Sequence, residues 1–404
     1  MKTEKLLYDW NSQALPARPF SVLDETLRDG IQSPSVKNPE VEKKIEILHA
    51  MEACGIDFAN LGLPGAGATA VAEVTRLVQE IRDQHMGLRP NCAARTHPGD
   101  LQAVADIAQK TGYPLEVCTF LGCSTMRRLL EGWDLHDLEK KVAQSISFSV
   151  GQGLETAFVT EDTSRTDPKT LKRIFRVALD QGATRLILTD TVGYATPSGL
   201  ASLVRFVRGL LKDWNYPHIL LDWHGHNDRG LALALCLTAL DEGVDRIHGT
   251  CLGLGERVGN APMDLLLVNL RLLKLRPPGL AAVRHYVERV STHYEIPIPV
   301  NYPAFGRDAF RTATGVHAAA LVKARQLGHE PMADQIYSSV PASELGLHQQ
   351  IEIGYYSGRA NVLAWLQQHD IVPQESGVQA ILNRAKKARA TLTKTEILNC
   401  LKDS

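Results

Sequence analysis

Two histidines spaced i, i+2 end an apolar run in Leu221-Asp222-Trp223-His224-Gly225-His226-Asn227-Asp228. In a strand that spacing sends both side chains to the same face. Two imidazoles converging at a strand end suit a divalent metal, which would draw its remaining ligands from elsewhere in the chain. The best third candidate is Asp29, in Asp24-Glu25-Thr26-Leu27-Arg28-Asp29-Gly30, where another apolar strand runs into charged residues. An Asp29/His224/His226 set leaves coordination positions open, which suits Zn, Mn, Mg or Co acting as a Lewis acid on a bound oxygen. Arg28 stands beside the proposed ligand. It either fixes Asp29 through a salt bridge or stabilises a developing enolate or alkoxide, a task in which a guanidinium in a dry site is most effective.

Three more clusters carry chemistry. Glu161-Asp162-Thr163-Ser164-Arg165 offers either a structural ion pair with Arg165 or a Glu161 carboxylate that reaches a substrate group or water. Asp190-Thr191 places a carboxylate and a hydroxyl at the end of another apolar run. Gly253-Leu254-Gly255-Glu256-Arg257-Val258-Gly259-Asn260 reads as a tight turn, or as a cradle for an anion or the phosphate-bearing tail of a cofactor, with Asn260 at the helix cap.

These residues must be positioned by a regular scaffold, and the chain supplies one. Apolar, strand-like segments are expected near 20–27, 57–63, 89–94, 115–120, 155–160, 185–189, 219–223 and 246–252, with amphipathic helices between and after them from about Pro39 to Leu273. In the first helix Val41, Ile45, Leu48 and Met51 recur at helical spacing, and Gly55 stops it. Eight strands alternating with eight helices predict a (β/α)8 TIM barrel over 19–275 after an N-terminal extension, 1–18. The polar clusters all fall at C-terminal strand ends, where such a barrel gathers its chemistry. A doubly wound open sheet would want a glycine-rich turn after the first strand, and Arg28-Asp29-Gly30-Ile31-Gln32 is not one. The alternation stops near Pro277-Pro278-Gly279, which predicts a linker arm over 276–330 and a small helical C-terminal domain over 331–404.

The 404 residues carry 44 basic and 45 acidic side chains, a balance with no whole-chain attraction to nucleic acid or an anionic membrane. No apolar run reaches the length of a membrane span, and seven scattered cysteines without a CxxC pair fit a reducing cytoplasm. The expected substrate is small.

With these motifs in place, the chain resembles the acyl-CoA:2-oxo acid condensing enzymes, namely 2-isopropylmalate, homocitrate and citramalate synthases, of the superfamily that also holds HMG-CoA lyase. The resemblance rests on Leu23 to Gly30, Glu161 to Arg165, Asp190 to Pro197, His224 to Asp228 and Gly253 to Asn260, in that order. It implies that Asp29, His224 and His226 bind a divalent metal with Asn260 close to it or completing its shell, and that Arg28, Glu161 and Thr191 contact the 2-oxo acid. It implies acetyl-CoA as co-substrate, with Gly253, Gly255 and Glu256 in the loop that faces it. Thr314-Gly315-Val316-His317 resembles the arm segment whose His helps activate the acetyl methyl group, and Tyr337 resembles the tyrosine that partners it. Such arms usually enter the partner barrel of a homodimer.

Four positions depart from the family pattern. Glu25 and Ile31 stand where Thr and Glu are usual, Asn60 where Glu is common after the second strand, and Arg127 where a His is usual after the fourth. Arg127 is therefore a candidate for a second substrate carboxylate. The competing expectations are a metal-dependent HMG-CoA lyase or aldolase that cleaves a carbon–carbon bond, and a catalytically silent barrel.

Overall fold

The computed structural model describes residues 7–11, 18–277 and 279–402. Of the expected N-terminal extension, only 7–11 and 18 fall among them. Eight parallel strands close into a barrel in chain order: β1 (Ser21–Asp24), β2 (Phe58–Asn60), β3 (Arg89–Arg95), β4 (Glu116–Gly122), β5 (Glu155–Glu161), β6 (Arg185–Asp190), β7 (Leu220–Gly225) and β8 (Arg246–Gly249). Closure is made by β1 against β8, with Ser21 opposite Arg246 and Asp24 opposite Gly249.

The connecting helices form because each has an apolar stripe and a start signal. The helix Pro168–Asp180 shows both: Asp167 accepts from the Thr170 amide, Pro168 sits where an amide proton would have no partner, and Leu171, Ile174, Phe175, Ala178 and Leu179 are buried. Gly182, at φ +97°, then turns the chain toward β6.

Strand alternation explains the bore. Glu116, Cys118 and Phe120 on β4, Arg185, Ile187 and Thr189 on β6, Asp222, His224 and then His226 from β7, and Arg246 with His248 on β8 follow period 2 and share the inner face. The lowest layer is ionic. Arg246, fully buried, donates to Glu116 at 2.6 and 2.9 Å and to Asp222 at 2.6 Å, while Arg185 donates to Asp222 at 2.5 Å. Phe58 lies against the Arg246 guanidinium at 4.4 Å. Above this layer Cys118, Ala157 and Ile187 form an apolar cluster with Val159, and the polar mouth lies above that.

The chain divides into two compact units, and the division differs from the expected arm. Residues 282–297 belong to the barrel unit, whereas 298–402 form the second unit with 7–11, 277 and 279–281. The helix Ala281–Tyr294 is tied to the barrel by two buried phenols: Tyr286 donates to Asp24 Oδ2 at 2.5 Å and Tyr294 donates to the Thr26 carbonyl at 2.7 Å. The second unit has helices Gly315–Gln326, Glu330–Gln335, Arg359–Gln368, Glu375–Ala385 and Lys394–Lys402, and a short parallel pair of Arg311–Thr312 with Gln350–Ile351 that the helical expectation did not include. Ile353, Val362, Leu366, Val378 and Ile381 are among its core residues. Among the described residues no helix is long and apolar enough to cross a membrane.

Candidate active site

The strand ends bring Asp29, His224 and His226 together. Asp29 Oδ2 lies 4.0 Å from His224 Nε2 and 3.8 Å from His226 Nε2, and all three residues are buried. Donors at these separations accommodate a cation about 2.0–2.2 Å from each. The chemistry of the donors also fits: burial, with His224 adding to it, pushes the His226 imidazole down to about 4, so it is neutral at physiological pH. Burial pushes the Asp29 carboxyl up, but Arg28 and the two imidazoles outweigh it and hold the group ionised. Asn260 donates through Nδ2 to Asp29 Oδ1 at 2.8 Å and to the Leu254 carbonyl at 3.0 Å, while its own Oδ1 is buried without a protein partner. A buried amide oxygen left over beside two imidazoles and a carboxylate is what a resident divalent cation would use.

A second set of groups supports the ligands from below. Glu25 Oε2 lies 2.7 Å from His224 Nδ1, and Oε1 lies 2.7 Å from Arg28 Nη2 and 3.5 Å from His248 Nδ1. Burial pushes the Glu25 carboxyl up, yet Arg28 and His224 hold it well below the usual range. His248 Nε2 meets Asp222 Oδ2 at 2.9 Å, so polar contacts run from the ionic layer through His248 and Glu25 to His224. Burial lowers the affinity of His248 for a proton, but Asp222 and Glu25 together raise it above the ordinary value. Sequence reasoning passed over His248, Asp222, Glu116 and Arg246; the signal available was a charged residue inside an otherwise apolar strand, Glu116 on β4, Asp222 on β7 and Arg246 on β8, with His248 two positions after Arg246.

These groups border a cavity of about 250 Å³ at the barrel mouth. Arg28, Glu161 and Thr191 line it, with Ala93, Cys118, Phe120, Val159 and Ile187 as its apolar wall. Arg165 binds Asp162 through two contacts of 2.7 and 2.9 Å, which leaves Glu161 as the carboxylate on the cavity side. The Thr191 hydroxyl accepts from the Asp162 amide at 2.8 Å and meets the Thr189 hydroxyl at 3.0 Å. The loop from Gly253 to Asn260 closes over Asp29: besides Asn260, the Glu256 amide approaches Asp29 Oδ1 at 3.4 Å.

The family model described as HMGL-like matches residues 20–290, two-thirds of the chain, a span that includes Asp29, His224, His226 and Asn260. The chain belongs to the HMGL-like family. Among curated relatives, this HMGL-like chain is 30% identical over 385 residues to homocitrate synthase AksA of Methanopyrus kandleri, covering 93% of this chain and 90% of that one. It is 31% identical over 383 residues to homocitrate synthase AksA of Methanothermobacter thermautotrophicus, covering 92% and 89%. A probable 2-isopropylmalate synthase of Methanopyrus kandleri is 28% identical, covering 91% of this chain and 69% of that one. Among solved structures, the HMG-CoA lyase of Pseudomonas aeruginosa superposes with a TM-score of 0.57 at 21% identity, over 68% of this chain and 92% of that one. That likeness establishes the barrel fold alone.

Two expectations for this HMGL-like chain lie elsewhere. Arg127 is not on the cavity wall: it sits on an unforeseen helix, Thr125–Glu131, where its exposed guanidinium meets Glu131 at 3.1 Å. Its stem lies over Gly122, the last residue of β4, and the i, i+4 spacing brings its head to Glu131. In the second unit, His317 and Tyr337 stack with ring centroids 3.8 Å apart and planes 23° from parallel.

Proposed function

We propose that this chain condenses acetyl-CoA with a 2-oxo acid and releases CoA and a 2-hydroxy-di- or tricarboxylate, as a cytoplasmic enzyme. The observation that carries the reading is the convergence of Asp29, His224 and His226 on one side of a cavity whose other walls present Arg28, Glu161 and Thr191. The relatives named homocitrate synthase and 2-isopropylmalate synthase support the reaction class.

Asp29, His224 and His226, with Asn260, are the residues that would hold a divalent cation. When bound, it supplies Lewis acidity toward the oxo acid carbonyl. Thr191 orients the oxo acid by donating its hydroxyl to the acid's carboxylate, and Glu161 positions a water beside it. Arg28, kept in place by Glu25 and Asp29, stabilises negative charge that develops on the former carbonyl oxygen. Gly253, Gly255 and Glu256 border the space taken by acetyl-CoA. His317 accepts the methyl proton of acetyl-CoA with Tyr337 stacked on its ring, and a homodimer with exchanged arms, which would bring this pair to a partner barrel, is part of the proposal. Water then cleaves the thioester.

The test is CoA release from acetyl-CoA with Mn(II) or Zn(II) and a panel of 2-oxo acids, with His224→Ala as control. Release that needs an oxo acid and disappears in the variant supports the reaction. Failure of every acid with a correctly folded, metal-loaded protein overturns it.

A further inference from the structure

Building on that reaction, we infer that the 2-oxo acid accepted by this chain has an uncharged, apolar side chain. The side chain is seated against Cys118, Phe120, Val159 and Ile187, and Glu161 turns away acids that bear a second carboxylate.

A 2-oxo acid presents a carboxylate, a ketone and a side chain. The first two belong with the ligand side of the cavity, where Asp29, His224, His226 and Thr191 stand. The side chain must then meet the remaining wall. That wall is built from alternate positions of three neighbouring strands, Cys118 and Phe120 on β4, Val159 on β5 and Ile187 on β6, and it is apolar. The thiol within it is inert: burial, with Glu116 adding to it, holds Cys118 well above the ordinary thiol range, so it offers neither charge nor nucleophile.

A second carboxylate needs a cation, and those on the wall are engaged. Among the described residues lining the cavity, the arginines are Arg28 and Arg257, and no lysine lines it. Arg28 is held by Glu25 at 2.7 Å and by Asp29 at 2.9 Å. Arg257 is held by Asp228 at 2.8 and 2.9 Å and donates to the Thr191 carbonyl at 2.7 Å. Arg127, the one arginine expected to serve a second carboxylate, is outside the residues that line the cavity: its stem passes over Gly122 and its side chain meets Glu131 at 3.1 Å. A distal carboxylate in this cavity would therefore be buried without a free counter-charge and would face Glu161. An unpaired buried charge outweighs the gain or loss of a few methylenes, so charge sets the first rule of selection and size the second.

The experiment is titration calorimetry on the full chain loaded with saturating Mn(II), using 2-oxoisovalerate, 4-methyl-2-oxovalerate, oxaloacetate and 2-oxoglutarate. CoA release from acetyl-CoA is measured on the same panel. The apolar acids are expected to bind on the order of 100-fold more tightly than the dicarboxylic ones, with the same order in kcat/KM. Equal or tighter binding of either dicarboxylic acid overturns the inference, as does an absence of binding by all four. An apolar preference in binding without CoA release upholds the inference while counting against the condensation, so the two readings fail separately. Glu161→Gln, which keeps the shape and removes the charge, is expected to narrow the preference about tenfold; an unchanged preference overturns the role given to Glu161.

Discussion

Glu25 Oε2 lies 2.7 Å from Nδ1 of His224, the imidazole whose Nε2 faces Asp29. A carboxylate at Nδ1 keeps the proton on that nitrogen and leaves the Nε2 lone pair directed at the candidate metal site. Glu25→Gln is expected to weaken Zn(II) or Mn(II) binding by about 10- to 100-fold, measured by competition with a chelator of known affinity. Unaltered metal affinity in a folded variant would sink this coupling.

Arg127→Ala should be nearly silent. The side chain is 44% exposed and its partner Glu131 is one helical turn away, so the pair contributes at most about 0.5 kcal/mol. The ratio of kcat/KM for apolar against dicarboxylic oxo acids is expected to stay within about twofold, since the residue does not reach the cavity. A fivefold change would place Arg127 at the substrate after all.

Arg246→Met tests the ionic layer beneath the site. The substitution leaves Glu116 and Asp222 buried without their principal cation, and loss of one partner of a buried pair costs about 3–5 kcal/mol. Burial pushes both carboxyls up, but Arg246 and then Arg185 hold them below the usual range. Their contribution is therefore present above the unfolded carboxyl range near pH 4 and is lost as pH falls below it. Urea unfolding at pH 7 should show the full loss for Arg246→Met, and the difference from the wild type should shrink as the solution is acidified below pH 4.

Asp24 has the opposite sign. Burial raises its carboxyl from 3.8 to about 6, against hydrogen bonds from Thr26 and Tyr286. Between those values the folded chain holds a proton that the unfolded chain has lost, so stability falls as pH rises through the window. Relative to Asp24→Asn, the wild type is expected to lose up to about 3 kcal/mol between pH 4 and 7. Parallel stability curves for the two proteins across that range would contradict the buried, protonated Asp24.

Much of the barrel was legible because each strand and helix declares itself locally, through an apolar run, a helical stripe and a glycine or proline at the junction. The convergence of Asp29, His224 and His226 was legible for a related reason: His224 and His226 alternate by two at a strand end, and Arg28-Asp29 breaks an apolar run. What escaped was non-local. Tyr286 and Tyr294 look like ordinary residues of an arm after Pro277-Pro278-Gly279, yet their hydroxyls reach Asp24 and the Thr26 carbonyl some 260 residues earlier, which makes their helix part of the barrel unit. His248 reads as a strand residue until closure of β1 on β8 sets it beside Glu25. Arg127 was legible as a helix-surface residue through Glu131, but its expected role came from motif position rather than from that spacing.

Gly255 shows why a glycine loop can be a metal-site element without touching a phosphate. Its φ of +152° lies in a region that side chains avoid, and a Cβ built on it would stand 2.5 Å from Asp29 Oδ1 and collide with Asn260 Nδ2. The glycine lets the loop close over the ligand carboxylate, so that Asn260 donates to Asp29 at 2.8 Å and the Glu256 amide comes within 3.4 Å. Gly255→Ala must either lift the loop or displace Asp29, because backbone strain and steric overlap act together. The expected result is at least about a tenfold loss of metal affinity, together with a drop in Tm of a few degrees from the same strain. If the loop instead serves only the acyl donor, the variant will raise the KM for acetyl-CoA and leave metal affinity unchanged, and that pattern would reassign Gly255 from the metal to the co-substrate.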